Sequence, residues 1–426
     1  MDKKILILFI LFVSTNVTAG FCGGTTPCNC GDVIMNSTVL TKSLTCNGTA
    51  LTIGNNNLEL NCNSNILGTF THGNGIGIKI DQKSNVTITN CLFESQGNAI
   101  YLINSTSIEL TKNAITKNDF AINIQTSNQI IITQNTITDG QISNHSNQGI
   151  YIVATNNTII EGNYLENVSI GINLVETITQ AINTNSSIKN NKIINTAMGI
   201  GGTIKNSLIE DNTLFDLKYS GIYLKGENIV IKNNSIKKIN YDGITLTDTK
   251  NASLTENKII SCEKGITALA INEKLTANKN ILCYNKIDIN NETSGAIGVN
   301  NTCNTPNNWN DETTKGCTFQ CKINRPPIIL YTNPNNNPNI TLLIDRNYTF
   351  SITADDPDGD ELYYDWFFDD KPVDSNGPKY SFTYSKDLAG RHQISVIVSD
   401  SIDSKNVTWK IAVQKNKVIW DFPRRP

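Results

Sequence analysis

The chain has 426 residues, a formal net charge of −3 at pH 7 and 38% hydrophobic residues. This length leaves room for two or three domains, and the nearly balanced charge argues against nucleic acid as a partner. No stretch after residue 19 is long and apolar enough for a transmembrane helix in the mature chain.

Residues 1–19 have the pattern of a secretory signal peptide. Lys3 and Lys4 precede an apolar run that ends at Val13, and small residues follow it up to Ala19. We therefore predict that the mature chain starts near residue 20 and is secreted or held at the cell surface. Numerous Asn-x-Ser/Thr sequons would permit glycosylation there.

The 11 cysteines are concentrated before residue 54 and from residue 303 onward. Outside the cytoplasm this distribution predicts disulfides that close the two ends of the intervening domain. A zinc knuckle at Cys28-x-Cys30 is the alternative, although no histidine lies nearby. Because the count is odd, at least one thiol is predicted to be free or intermolecular. The disulfide candidates are Cys22, Cys28, Cys30, Cys46, Cys303, Cys317 and Cys321.

One pattern recurs about ten times between residues 55 and 300. It reads apolar-x-apolar-x-x-Asn-x-apolar, then a turn, then Gly-Ile-x-apolar, in steps of roughly 21 to 28 residues. Two short alternating strands per repeat are too brief for a pair of helices. The pattern predicts an all-β, right-handed parallel β-helix over residues 55–321, behind an N-terminal cap at 20–54.

The asparagine of each repeat predicts a structural ladder. We expect it to take a left-handed backbone conformation at the turn, with its amide bonded to the amide one rung away. Ligation of a metal or a sugar is the alternative. The ladder consists of Asn113, Asn135, Asn163, Asn191, Asn212, Asn234, Asn257 and Asn280.

The outward position of the Gly-Ile-x-apolar strand alternates between aromatic and amide side chains. Rings stack on sugar faces and amides bind hydroxyls, so this column predicts a face for an extended glycan. The alternative is that tyrosine stabilises the sheet. Lengthened rungs at 139–147, which include His145, and at 175–187 predict a wall beside it. The face consists of Tyr101, Asn123, Tyr151, Asn173 and Tyr223.

The coil resembles the carbohydrate-binding and sugar-hydrolase type of β-helix, especially the NosD-like copper-maturation family. The resemblance covers about residues 30 to 300 and rests on the repeat and on Cys28-Asn29-Cys30-Gly31-Asp32 with Leu44-Thr45-Cys46. It implies the fold but not one activity, because lyases, epimerases, hydrolases and adhesins share it. Copper is not supported, since His72, His145 and His392 show no ligand spacing.

The coil is not expected to carry the motif set of the β-helix sugar enzymes, which comprises Asn-x-Asp, Asp-Asp, Gly-His-Gly and Arg-x-Lys. Asp-Asp, Gly-His-Gly and Arg-x-Lys are absent, and no arginine precedes Arg325. A stack of Glu161, Lys189, Glu210 and Lys232 predicts ion pairs between rungs instead of catalytic carboxylates. The acids that remain for a catalytic pair are Asp119, Asp139, Glu176, Asp211 and Asp242.

A Pro- and Asn-rich linker at 322–340 precedes short alternating strands, which predict an immunoglobulin-like sandwich over residues 341–414. This part resembles PKD and cadherin-like modules in its acidic stretch 354–360, in Tyr364-x-Trp366 and in Gly390-x-His392-x-Ile394. Trp366 is predicted to fill the core. No function is assigned to the tail at 415–426.

Four acids of this domain are a tentative calcium site, with an acidic turn as the alternative. They are Asp356, Asp358, Asp360 and Asp400.

These features predict a secreted or cell-surface β-helix protein that binds or displays carbohydrate without catalysis and carries a spacer or adhesion domain. Its partner would be a carbohydrate or a cell-surface glycan. Two alternatives remain: a polysaccharide lyase, hydrolase or epimerase with a site near the lengthened rungs, and a structural envelope protein.

Overall fold

The computed structural model describes residues 20–69, 75–138, 147–269, 272–335, 340–344, 346–373, 375, 377–383 and 389–414. The predicted signal peptide, the tail, His72, Asp139 and His145 lie outside the described residues. Within those ranges the chain is all-β, and no helix is long and apolar enough to cross a membrane. The predicted fold class is confirmed: a parallel β-solenoid of about 12 turns is followed by small antiparallel sheets.

The coil is built from many short parallel strands. In chain order they are β1 (Phe21–Cys22), β2 (Asp32–Ile34), β3 (Thr38–Val39), β4 (Leu44–Cys46), β5 (Thr49–Ile53), β6 (Leu58–Asn61), β7 (Ile66–Thr69), β8 (Ile76–Asp81), β9 (Ser84–Thr89), β10 (Leu92–Glu94), β11 (Asn98–Ile103), β12 (Thr106–Thr111), β13 (Ala114–Thr116), β14 (Phe120–Gln125), β15 (Asn128–Thr133), β16 (Thr136–Thr138), β17 (Gln148–Val153), β18 (Asn156–Glu161), β19 (Tyr164–Glu166), β20 (Ile170–Val175), β21 (Asn183–Thr184), β22 (Ser187–Lys189), β23 (Lys192–Ile194), β24 (Met198–Glu210), β25 (Thr213–Leu217), β26 (Ile222–Lys232), β27 (Ser235–Thr255), β28 (Lys258–Ala268), β29 (Glu273–Asn278), β30 (Ile281–Cys283), β31 (Ile287–Asn291), β32 (Ile297–Val299) and β33 (Pro306–Asn307).

Each turn of the coil contributes to three parallel sheets. The first sheet runs through β5, β8, β11, β14, β17 and β20. The second runs through β6, β9, β12, β15 and β18, and the third through β7, β10, β13, β16 and β19. The strands β24, β26, β27 and β28 are longer because they continue around a corner from one sheet into another.

The interior of the coil is a set of stacked aliphatic columns. One column of the first sheet is isoleucine in ten successive strands, each 0–1% exposed. Burying one such side chain contributes about 1.5–3 kcal/mol, so the stacked columns supply the main driving force for coiling. The column consists of Ile78, Ile100, Ile122, Ile150, Ile172, Ile200, Ile222, Ile244, Ile266 and Ile289.

The asparagine ladder is continuous and buried. In a typical rung the backbone N–H and Nδ2 of Asn191 both donate to Oδ1 of Asn212 at 3.0 Å, and Nδ2 also donates to the carbonyl of Ile160 at 2.9 Å. The ladder begins at Cys91, whose N–H donates to Asn113, and it extends past the predicted end to Asn301.

The left-handed backbone conformation predicted for the ladder asparagines is wrong. It occurs one residue earlier, for example at Asn190 (φ 53°), Asp211 (φ 57°) and Asn233 (φ 52°). The preceding residue is solvent-facing and makes the corner. The asparagine then keeps ordinary geometry, which directs its amide into the coil.

A carboxylate ends the ladder. Asp311 accepts from the N–H of Asn301 at 2.9 Å and from its Nδ2 at 2.7 Å, and it also accepts from Trp309 Nε1 and from Thr318. Burial would raise the pKa of Asp311, but the hydrogen bonds from Thr318 and Asn301 outweigh it and hold this pKa below its ordinary value. The donors of the last rung are thereby satisfied.

Five disulfides close the coil: Cys22–Cys28, Cys30–Cys46 and Cys62–Cys91 at one end, and Cys283–Cys321 and Cys303–Cys317 at the other. Cys28 and Cys30 belong to different disulfides, so they do not form the alternative zinc knuckle. Cys62, Cys91 and Cys283 were not among the predicted partners. Cys262 is the free cysteine of the described residues and is buried.

The C-terminal domain follows a hairpin of β34 (Asn310–Asp311) and β35 (Thr314–Lys315). One of its sheets has the order β36 (Ile328–Asn333), β38 (Asn347–Asp355), β41 (Lys379–Thr383). The other has the order β37 (Ile340–Leu343), β43 (Ser404–Gln414), β42 (Gly390–Ser399), β39 (Tyr363–Phe368), β40 (Lys371–Pro372). Between them Trp366 lies in the core as predicted and stacks on Trp409, with ring centroids 5.7 Å apart.

Replacing a ladder asparagine is expected to destabilise the coil strongly. Asn212→Ala leaves the two buried donors of Asn191 without an acceptor and two carbonyls without a donor, a cost of roughly 2–4 kcal/mol. The urea midpoint should fall accordingly. The control Asn156→Ala changes an exposed strand residue and should alter stability by less than about 0.5 kcal/mol. Equal effects of the two substitutions on the urea midpoint would contradict a specific contribution of the ladder to stability.

The Asp311 carboxylate is expected to make stability depend on acid pH. Its pKa is lower in the folded chain than in the unfolded chain, so its contribution is full above about pH 5 and is lost as pH falls through the folded pKa. Asp311→Asn should therefore be less stable than the parent at pH 7. The difference in urea midpoint should shrink toward zero at strongly acid pH, and a constant difference would contradict this assignment.

Candidate functional site

The residues of the predicted glycan face lie in one column of the first sheet. Tyr101 pairs with Asn123, which pairs with Tyr151, which pairs with Asn173. The column continues through Gly201 to Tyr223. Adjacent members are one rung apart, about 4.8 Å, so Tyr101 and Tyr151 are separated by about 9.6 Å along the coil.

Neighbouring side chains hold this face in a fixed arrangement. The ring of Tyr151 meets the edge of Phe120 with centroids 5.2 Å apart. Asn173 donates from Nδ2 to Gln148 Oε1 at 2.9 Å. The three tyrosines are half-buried and present part of each ring to solvent.

Asn123 differs from the expectation for this face. It is only 6% exposed, donates from Nδ2 to Asn98 Oδ1 at 2.8 Å and accepts from Gln125 Nε2 at 3.3 Å. Its amide therefore orients Asn98 and Gln125, which lie closer to solvent. The sequence pattern alone did not indicate these two residues, because neither occupies the repeated Gly-Ile-x-apolar position.

The lengthened segments belong to neighbouring strands of this sheet. Residues 139–147 lead into β17, and all but Asn147 lie outside the described residues. Residues 176–182 follow β20 and are mostly exposed, with the side chain of Ile178 fully in solvent. In a parallel sheet the starts and the ends of strands lie at opposite edges, so the second segment borders the face on the side where strands end.

The structure does not bring the four described candidate acids together. Asp119 and Asp242 both lie where strands of the first sheet start, but five rungs separate them, about 24 Å. Glycosidase carboxylates are about 5–9.5 Å apart. Glu176 lies at the opposite edge, and Asp211 accepts a hydrogen bond from Asn233 at a different corner.

Contrary to the expectation from the sequence, one Asn-x-Asp triplet does occur in the coil. It is Asn240-Tyr241-Asp242, at the edge where strands of the first sheet start. Its carboxylate accepts from Thr245 Oγ1 at 3.0 Å. Part of the predicted stack of charges forms ion pairs, since Glu210 lies 3.0 Å from Lys189 and 3.4 Å from Lys232. Glu161 accepts a hydrogen bond from Asn190 Nδ2 at 3.3 Å. The hydrogen bond from Lys189 is the main cause that lowers the pKa of Glu210.

The four acids of the tentative calcium site are engaged separately. Asp356 accepts from the N–H groups of Asp358 and Asp360, and Asp400 accepts from two N–H groups of its own turn. Asp358 binds Arg325, whose hydrogen bonds hold the pKa of Asp358 below its usual range. Within the described residues no three His, Cys, Asp or Glu side chains converge to hold a metal.

The acidic loop, the start of β39 and the turn after β42 pack the C-terminal domain against the third sheet of the coil. Tyr363 stacks on Phe215 with centroids 4.1 Å apart and planes 8° from parallel. Lys258 Nζ lies 2.9 Å from Asp360, and Ser261 donates to the carbonyl of Ser401. The domain is thus docked on the third sheet, and these contacts leave the tyrosine column of the first sheet uncovered.

Family models divide the chain in agreement with this architecture. The right handed beta helix region matches residues 28–141 and 76–205, the periplasmic copper-binding protein (NosD) family matches 177–320, and the PKD domain matches 340–413. The chain is a right-handed β-helix repeat protein with a C-terminal PKD domain. The disulfides and the periplasmic family point to a location outside the cytoplasm.

Solved structures that resemble this chain include a periplasmic alginate epimerase and an exopolygalacturonase. A mutant of the periplasmic alginate epimerase AlgG is 12% identical, with a TM-score of 0.50 over 67% of this chain and 78% of its own. The exopolygalacturonase of Thermotoga maritima is 9% identical, with a TM-score of 0.48 over 63% and 83%. At such identity the AlgG similarity shows the fold alone. No curated protein matches the chain.

Removing the docking contacts is expected to release the PKD domain. Lys258→Ala combined with Tyr363→Ala deletes the ion pair and the ring stack, so small-angle X-ray scattering should show a larger radius of gyration and maximum dimension. Lys279→Ala, which removes the ion pair with Glu256 inside the coil, is the control and should leave both unchanged. Identical scattering from the double variant and the parent would contradict a dock held by these contacts.

Proposed function

We propose that this chain is a secreted or cell-surface protein that binds an extended glycan along the first sheet of its coil without cleaving it. The observation that carries this proposal is the register of Tyr101, Tyr151 and Tyr223 in one outward column. A straight row of partly exposed rings fits the repeating sugar faces of a polymer better than a single small ligand.

Three further features support binding. The ring of Tyr151 packs against Phe120 and Asn173 is hydrogen-bonded to Gln148, which lowers the entropic cost of ordering these side chains on a ligand. The PKD domain docks on a different sheet, so it can act as a spacer or adhesive unit while the tyrosine column stays accessible. The fold is shared with the alginate epimerase AlgG, whose substrate is a polysaccharide by its name.

Catalysis by the described residues has less support. Of the candidate acids, Asp119 and Asp242 share one edge of the first sheet but lie about 24 Å apart, farther than the carboxylates of a glycosidase. The competing proposal is a lyase, hydrolase or epimerase whose site includes the lengthened rungs. A structural envelope role without any ligand is the third possibility, and the assay below distinguishes all three.

The test is binding of residues 20–426 to a panel of soluble polysaccharides by affinity electrophoresis and calorimetry. Because each ring contact is worth about 0.5–1.5 kcal/mol, Tyr101→Ala/Tyr151→Ala/Tyr223→Ala should weaken binding at least about tenfold. Tyr331→Ala, which removes a 58%-exposed tyrosine from the PKD domain, should leave affinity unchanged.

The same polymers are then analysed for chain length and for uronate epimer content after incubation with the protein. Unchanged polymers with ring-dependent binding support the proposal. Shortened or epimerised polymers would establish the enzymatic alternative, and absence of both binding and turnover would leave the structural role.

A further inference from the structure

We propose that a groove beside the tyrosine column holds an uncharged branch of the bound glycan, with Tyr219 and Tyr241 as its aromatic wall. This inference rests on the proposed function, because the branch belongs to the polymer on the first sheet. It specifies the substrate class as a branched, neutral polysaccharide.

The groove arises from a change of side-chain size within one column. At the edge where strands of the first sheet start, backbone hydrogen bonds connect Ser169 to Ala197, Ala197 to Tyr219 and Tyr219 to Tyr241. The two small residues line a depression in their rungs, and the two tyrosines occupy the same column in the next two rungs. The resulting groove has a volume of about 500 Å³.

The floor of the groove is apolar and its rim is polar. Val168 and Leu217 are 4% and 1% exposed and form part of the floor with Ala197. Asn195, Asn240 and Lys218 lie on the rim. An apolar floor with a few amide and amine donors above it suits a sugar ring, which has an apolar face and hydroxyls around its edge.

The aromatic wall is exposed to an unusual degree for this coil. Tyr219 and Tyr241 are 48% and 57% exposed, and their ring centroids are 5.9 Å apart. Lys218 lies 5.7 Å from the centroid of Tyr219, which orients that ring. Such rings contribute little to the core, so their side chains are available for stacking on a ligand.

The local charges favour a neutral ligand. Asp216 on the groove is paired with Lys238 at 2.8 Å, and on the adjoining column Lys79 is paired with Asp81 at 3.2 Å. Because these opposite charges neutralise each other, the surface offers mainly rings, amides and hydroxyls. Lys218 is the remaining cation of the groove lining and lies over the ring of Tyr219, and a single cation does not form the row that a polyanion requires.

The position of the groove defines its role relative to the main chain of the polymer. Tyr219 precedes Tyr223 by four residues, so the groove opens at the edge of the sheet whose outward column carries Tyr223. A polymer on that column runs along the coil axis, whereas the groove lies to its side. A substituent directed sideways from the main chain would enter the groove.

The test compares linear and branched polymers with the same backbone: β-1,4-mannan with galactomannan, and cello-oligosaccharides with xyloglucan oligosaccharides. For at least one pair the parent protein should bind the branched form at least fivefold more tightly. Tyr219→Ala/Tyr241→Ala should abolish that advantage and leave affinity for the linear form within twofold. Raising the NaCl concentration from 50 to 500 mM should change neither affinity more than twofold.

The controls separate this inference from the proposed function. Tyr101→Ala/Tyr151→Ala/Tyr223→Ala should weaken binding of both forms, and Tyr331→Ala of neither. Equal affinity for linear and branched forms, or an advantage that survives in Tyr219→Ala/Tyr241→Ala, would overturn the branch site alone. Failure of the parent to bind any polymer would overturn the proposed function with it. Circular dichroism and melting curves of each variant verify that these surface substitutions leave the fold intact.

Discussion

The structure depends on how the buried corner of each turn satisfies its hydrogen-bond donors. A coil of short strands must bend its backbone inside an apolar interior, where an unpaired N–H costs about 1–3 kcal/mol. Each ladder asparagine accepts hydrogen bonds from two donors of the rung before it, and its own N–H and Nδ2 need an acceptor in the next rung. The series ends at Asp311, whose carboxylate accepts hydrogen bonds but does not donate any. The ladder therefore fixes the register of every strand that follows a corner.

A fixed register also determines the outer surface. Because each rung stacks directly on the last, the residue type at one outward position becomes a row along the coil, as in the column from Tyr101 to Tyr223. A change of size at another position, from Ala197 to Tyr219, becomes a groove. The third sheet presents Phe215 and Lys258 and is covered by the PKD domain. The coil thus assigns separate surfaces to ligand and to domain docking.

Sequence periodicity predicted the coil, its register and the core position of Trp366, because these follow from alternation that repeats many times. Periodicity did not predict features that depend on a single position or a single contact. The residue in the left-handed backbone conformation lies one position before the ladder asparagine. The sequence pattern does not distinguish these two positions, because the residues at both tolerate that conformation. The Cys62–Cys91 disulfide, the contact of Phe215 with Tyr363 and the groove beside Tyr219 depend on which side chains the coil brings together. The residues that form each of these features are far apart in the chain, so they produce no local sequence pattern.

The acidic loop of the PKD domain shows why residue type alone does not define a site. Asp356 and Asp400 organise their own turns through backbone N–H groups, while Asp358 and Asp360 bind cations of the linker and the coil. A calcium ion would have to compete with Arg325 and Lys258 for these carboxylates. Because these carboxylates already make contacts that dock the domain, binding of such an ion would change the contacts that position the domain. The loop is therefore best understood as the joint between binding coil and PKD domain, and its charges set how firmly the two are held together.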